Sequence, residues 1–143
     1  MSRYRPRRLL LDTNIALDLC DSGRPQHKQA VEVVRRCNGG GDMGFIASVS
    51  LKDLYYVLCK QYGKVDGRKA LEYVMGLLIV APLGAEECDL SFHGDEPDFE
   101  DGLIRAYAEL NDIDFIITRD AAAFQHSTVR AIDCMEYLRI VGA

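Results

Sequence analysis

The chain has no apolar run approaching the ~20 residues that a membrane-spanning helix needs. It also has no CxxC pair, no internal repeat, no low-complexity stretch and no linker long enough to divide it. Each absence closes off a class. The missing span excludes a helical membrane protein. Arg3, Arg5, Arg7 and Arg8 crowd the start, but the apolar run behind them is too short for a signal peptide and breaks at Asp12. A cytoplasmic protein is therefore expected, with no membrane partner. Cys20, Cys37, Cys59, Cys88 and Cys134 are odd in number and widely spaced. They fit neither a disulfide framework nor a zinc site, and most, set among apolar neighbours, read as small buried hydrophobes. His27, His93 and His126 stand isolated. An excess of positive charge is lacking too, with a formal net charge of −5. That argues against a module whose whole surface grips nucleic acid. It leaves room for a nucleic-acid enzyme, because an acidic metal pocket is itself negative. The arginines of the first eight residues read as a solvated terminus, with a local phosphate contact as the alternative.

What is present is ordinary for a soluble globular protein: 143 residues, 48% hydrophobic and 27% charged. That length fits one domain over residues 1–143, large enough to bury a real core without staples. The stretch Leu9-Leu10-Leu11-Asp12-Thr13-Asn14 organises the rest. A short apolar run that stops on an acid reads as a buried parallel strand delivering a carboxylate to its C-terminal end, which is where open α/β sheets bind ligands.

Strand and helix signals then alternate. Asn14 caps a helix to about Cys20, and Pro25 suits the first turn of a second, which stops at Asn38-Gly39-Gly40-Gly41. Met43–Ala47 reads as a strand. Ser48 or Ser50 caps a third helix reaching Tyr62-Gly63, and Asp66 caps a fourth. Leu78–Leu83 is a strand that Pro82 puts at a sheet margin. Gly84–His93 is a short helix and Gly94-Asp95-Glu96-Pro97 a loop. Asp98 caps a helix from Phe99 to about Leu110. Ile113–Thr118 is the clearest strand, Ala121–Phe124 a helical turn, Val129–Ile132 a last strand, and Asp133 caps a closing helix to Ile140. The alternation predicts a three-layer α/β/α sandwich around a mainly parallel sheet.

Four acids fall at corresponding places. Asp12 and Asp120 come just beyond strands, and Asp53 and Asp101 in the first turns of helices. In a parallel sheet these positions share one edge, so the topology can gather them. Clustered carboxylates repel and raise one another's pKa, and Mg²⁺ or Mn²⁺, with their preference for oxygen ligands and retained waters, resolves the repulsion. A water activated in this way attacks a phosphodiester. Singly, each acid has a duller reading. Asp53 and Asp101 offset helix dipoles, Asp101 and Arg105 are spaced as a helix ion pair, and Glu100 lies on a solvated face. Jointly, the four-acid pattern favours a site.

Leu10-Leu11-Asp12-Thr13-Asn14, Asp98-Phe99-Glu100-Asp101 opening a helix, and Ile117-Thr118-Arg119-Asp120 with Phe124 behind it resemble the PIN domain. More narrowly they resemble the group containing VapC-type toxins, over nearly the whole chain. The resemblance implies a metal-dependent ribonuclease whose toxin members are held in check by an antitoxin. It implies Asp12, Asp101 and Asp120 as metal ligands, with Asn14 and Thr118 supporting them. Asp53 stands where the family usually has a glutamate, one methylene longer, and acts directly, through a water, or by holding a neighbouring lysine or arginine. The resemblance further implies a homodimer and a small antitoxin partner, for which the helices Pro25–Asn38 and Val65–Leu78 are candidate surfaces. Lys52, Lys60, Arg105 and Arg119 are candidates for an RNA-contacting rim, or plain surface charge.

The function expected is thus Mg²⁺- or Mn²⁺-dependent cleavage of RNA, as the toxin of a toxin–antitoxin pair. A non-catalytic PIN-like scaffold that binds RNA or protein is the alternative. A receiver or phosphohydrolase using Asp12 is a minor one, weakened by Asn14 and Arg119-Asp120 standing where such proteins want an acid and a lysine.

Overall fold

Leu9, Leu10 and Leu11 form the middle of the sheet, in β1 (Arg8–Leu11), and all three are buried. The computed structural model describes residues 5–95 and 98–142. Arg3 of the N-terminal cluster, and Glu96 and Pro97 of the expected loop, lie outside the described residues. On one side β1 pairs with β2 (Met43–Ala47), which pairs with β3 (Ile79–Ala81). On the other it pairs with β4 (Phe115–Ile117), which pairs with β5 (Arg130–Ile132). The order is β3-β2-β1-β4-β5 and every pairing is parallel.

Side chains alternate across such a sheet with a period of two, and the core divides accordingly. Leu9, Leu11, Ile46, Ile117 and Ile132 face one layer; Leu10, Phe45, Ala47, Ala81 and Ile116 face the other. The first layer is made by α1 (Thr13–Cys20), α2 (His27–Arg36), α3 (Ser48–Tyr62), α4 (Lys64–Leu77) and α7 (Cys134–Ile140). The second is made by α6 (Phe99–Leu110) and the 3-10 turn Ala121–Phe124, with α5 (Ala85–Phe92) packed on α6. The expected three-layer sandwich is present, and its sheet is parallel throughout.

Several boundaries differ from the sequence reading. Asp12, not Asn14, caps α1: its backbone is extended and its carboxylate accepts the Thr13 N–H. No side chain caps α3, whose N-cap is Ala47, while Ser50 is buried within the helix. Asp66 sits in the first turn of α4, which starts earlier, after Gly63 at φ 87°. The caps expected at Asp98 and Asp133 are made, to Asp101 N at 3.0 Å and Glu136 N at 2.8 Å. β3 is an edge strand, as Pro82 suggested, but only three residues long.

Candidate active site

The chain leaves β1 towards β2 on one side, and β4 lies on the other. Strand order therefore reverses at β1, and the gap between the C-terminal ends of β1 and β4 is the crevice where such sheets bind ligands. Asp12 follows β1 and Thr118 follows β4. The ladder carries on through both, with Asp12 N–H donating to Ile117 O and Thr118 N–H to Ile132 O, each at 2.9 Å. Backbone pairing thus fixes the two side chains beside each other.

They are tied into a knot of hydrogen bonds. Asp12 Oδ1 accepts the Thr13 N–H at 2.8 Å. Asp12 Oδ2 accepts the Thr118 hydroxyl at 2.8 Å and Asn14 Nδ2 at 3.4 Å. Thr118 Oγ1 in turn accepts the Asp120 N–H at 3.0 Å and Asn14 Nδ2 at 3.3 Å, and Asn14 Oδ1 accepts the Arg119 N–H at 3.2 Å. Asp12 is 8% exposed. Burial raises its pKa, the bonds from Thr118 and Thr13 lower it, the charge of Asp120 raises it and that of Arg119 lowers it. Asn14 and Thr118 therefore orient Asp12, and Asp120 is its electrostatic neighbour.

A second acidic group forms where α3 and α6 begin. These helices cover opposite faces of the sheet, so their early turns meet over its carboxyl edge. Asp53, in the second turn of α3, is hydrogen-bonded to Glu100 in the first turn of α6. That bond, then burial, then the charges of Asp53, Asp98 and Asp101 push the Glu100 carboxyl up to about 7. Glu100 is thus half-buried and engaged, not on a solvated face as its position suggested. It is one site residue that the sequence reading missed, and the run Asp98-Phe99-Glu100-Asp101 was its only signal. Asp18 is another. It is 2% exposed and accepts Arg119 Nε at 2.8 Å.

The interactions therefore link Asp12 with Asp120, and Asp53 with Glu100 and its neighbours Asp98 and Asp101. Among the described residues no group of three or more acidic, histidine or cysteine side chains has the geometry of a metal-holding cluster. The donor chemistry nevertheless fits a hard divalent ion. Every group is a carboxylate oxygen, and a cation would favour the ionised forms of Asp12, raised chiefly by burial, and of Glu100, raised chiefly by its bond with Asp53.

Of the candidate rim, Lys52 is exposed on α3. The Lys60 ammonium lies 5.9 Å over the Tyr56 ring. Arg105 pairs with Asp95 and, at 3.0 Å, with Glu109, so its side chain, 19% exposed, is part of the α6 surface. Burial pushes the thiols of Cys20 to about 11 and of Cys37 and Cys134 to about 12, which suits packing and not nucleophilic chemistry.

A family model described as "PIN domain" matches residues 8–122. No curated protein sequence matches the chain at a significant level. Among solved structures, VapC20 of Mycobacterium tuberculosis, described as a Sarcin-Ricin loop cleaving toxin, superposes with a TM-score of 0.64 at 15% identity, over 80% of this chain and 92% of its own. VapBC-1 from nontypeable Haemophilus influenzae gives 0.69 at 19% identity, over 90% and 98%. DNA-bound VapBC from Salmonella typhimurium gives 0.68 at 17%, over the same two shares. At these identities the likeness is one of fold.

Proposed function

The chain belongs to the PIN-domain family, and on that premise we propose that it is a Mg²⁺- or Mn²⁺-dependent endoribonuclease, the toxin of a toxin–antitoxin pair. The observation that carries this reading is the knot of Asp12, Asn14 and Thr118 at the point of strand reversal, with Asp120 beside it. Asp12, Asp101 and Asp120 are the carboxylates assigned to the ion. When bound, the ion supplies an acidified water as nucleophile and stabilises the charge that develops on the phosphodiester. Thr118 and Asn14 hold Asp12 in one rotamer, so its ligating oxygen costs little to order. Glu100, raised to about 7 beside Asp53, is suited to take a proton from the attacking water and return one to the leaving oxygen.

The proposed substrate is RNA, and the proposed location the cytoplasm; no helix among the described residues is long and apolar enough to cross a membrane. We read the whole chain as one domain. A homodimer and a small antitoxin are the proposed protein partners. The antitoxin is suggested by the VapBC complexes among the structural neighbours. Support for a partner surface comes from α4, where Val65, Tyr73 and Met75 are exposed and a cleft of about 560 Å³ runs along Val65, Arg68, Leu71 and Met75.

Induced expression in a bacterial host, wild type beside Asp101→Asn at matched protein levels, tests the toxin reading. Growth arrest with discrete RNA fragments from wild type alone is the expected result; equal growth and intact RNA in both would count against it. The bond between Asp53 and Glu100 favours one competing reading, a PIN scaffold that binds RNA or protein without cutting. Calorimetric titration separates the two, because a scaffold takes up neither Mg²⁺ nor Mn²⁺.

A further inference from the structure

Asp18 lies four residues after Asn14, one turn further along the same face of α1. A carboxylate buried to this depth is tolerated only when paired, and it meets two arginines. Arg119 Nε donates to its Oδ2 at 2.8 Å, and Arg24 Nη1 lies 3.7 Å from its Oδ1. The two arginines are not equivalent. Arg24 also reaches Asp21, at 3.5 Å, and so is shared between two acids. Arg119 uses only Nε; among the described residues its Nη1 and Nη2 have no protein partner, and its side chain is 41% exposed. Its backbone N–H is fixed by Asn14 Oδ1, and its charge acts on the carboxyl of Asp12. This arginine is therefore held at both ends, by the residue that orients Asp12 and by a buried acid, with its outer fork turned to solvent at the edge of the acidic site. It lines a cleft of about 340 Å³ with Ile15, Gln26, Asp133, Cys134 and Met135.

We infer that Arg119, positioned by Asp18, binds the RNA phosphodiester next to the scissile one, in the cleft between α1, α2 and α7. A guanidinium fork matches two phosphate oxygens at once. A carboxylate on Nε leaves that fork open and removes the rotamer freedom that binding would otherwise cost. In a chain of net charge −5, a local cation anchored beside the acids offsets repulsion of the RNA backbone where it must approach most closely. Arg119 is the binding residue; Asp18 is a positioning residue that never touches RNA.

This inference rests on the ribonuclease reading, and steady-state cleavage of a short single-stranded RNA with Mn²⁺ distinguishes the two. No cleavage by wild type overturns that reading, and this inference with it. If wild type cleaves, Arg119→Ala should raise KM about tenfold with little change in kcat. The slope of log KM against log salt should fall by about 0.7, the share of one phosphate contact on a single strand. Arg119→Lys should keep the slope and recover only part of the affinity. Asp18→Asn should raise KM less than Arg119→Ala does, and should add nothing in the Arg119→Ala background, because its whole effect passes through that arginine. An unchanged KM in Arg119→Ala, or a full additional effect of Asp18→Asn on top of it, overturns the inference. If thermal melts show Asp18→Asn unfolded, Arg119→Ala and Arg119→Lys decide the question through KM and the salt slope.

Discussion

The raised pKa of the Glu100 carboxyl has a stability consequence of definite sign. Its folded pKa is raised from 4.5 to about 7, so the folded state holds the proton more tightly than the unfolded chain. The stability from that proton is fully present below about pH 4.5 and is lost as pH rises towards 7. Above that, the ionised carboxyl opposes Asp53. In metal-free buffer at pH 8, Glu100→Gln should therefore stabilise the protein by about 1 kcal/mol, a figure already discounted for solvent screening. At pH 4 the gain should vanish. Urea unfolding in EDTA measures both, and an equal shift at the two pH values would contradict the assignment. The residue scale is also where sequence reading was most uneven. Asp12 was legible because three leucines stop on it, and a buried strand announces its end. Asp120 and Thr118 were legible for the same reason. Glu100 was not, because its partner Asp53 comes from α3, which packs on the opposite face of the sheet. Asp18 was hidden by its partner, which lies a hundred residues away on the chain at Arg119. Asn14 was misread as the cap because either residue has a capping side chain; the backbone decides, and it is Asp12 that is still extended.

Among the elements, α6 carries the second acidic group, and its seat on α5 depends on Gly102. A Cβ at that position would stand 2.2 Å from Ser91 Oγ, which is buried and donates to Phe99 O at 2.7 Å. That bond links the end of α5 to the first residue of α6. Gly102→Ala should push the helices apart and cost about 1–3 kcal/mol in chemical denaturation, despite the better helix propensity of alanine. Ser91→Ala should relieve part of that cost, so the double variant should be more stable than the sum of the singles. Strict additivity would mean that the helices do not press on each other at this point. The helices themselves were legible from apolar spacing, down to the capping acids of α6 and α7. Strand ends were less so. Ile113–Thr118 reads as one strand, yet only Phe115–Ile117 forms β4. Ile113 is buried because it closes the α6 side, with its N–H on Ala108 O. Hydrophobicity reports burial, and burial outlasts the ladder.

At the scale of the whole molecule, one topological fact organises the function: β1 has its partners on both sides, so the ends of β1 and β4 enclose the crevice. The parallel sandwich followed from the alternation of strands and helices, since each crossover must pass over a face of the sheet. The strand order did not, because no local signal says on which side of β1 a later strand will pair. Distant parts are tied by polar contacts as well as by the two cores. The Tyr137 hydroxyl of α7 donates to buried Asp42 ahead of β2, which also has Arg7 and Arg36 within 3.6 Å. The most direct test of the account is cleavage of single-stranded RNA by the purified protein, wild type and Asp12→Asn, each with Mn²⁺ and with EDTA. Fragments from wild type with Mn²⁺ alone, and a loss of at least about a hundredfold in Asp12→Asn, are the predicted result. Equal cleavage by both proteins, or cleavage that survives EDTA, would contradict the assignment of Asp12 and its neighbours as a metal-dependent nuclease centre.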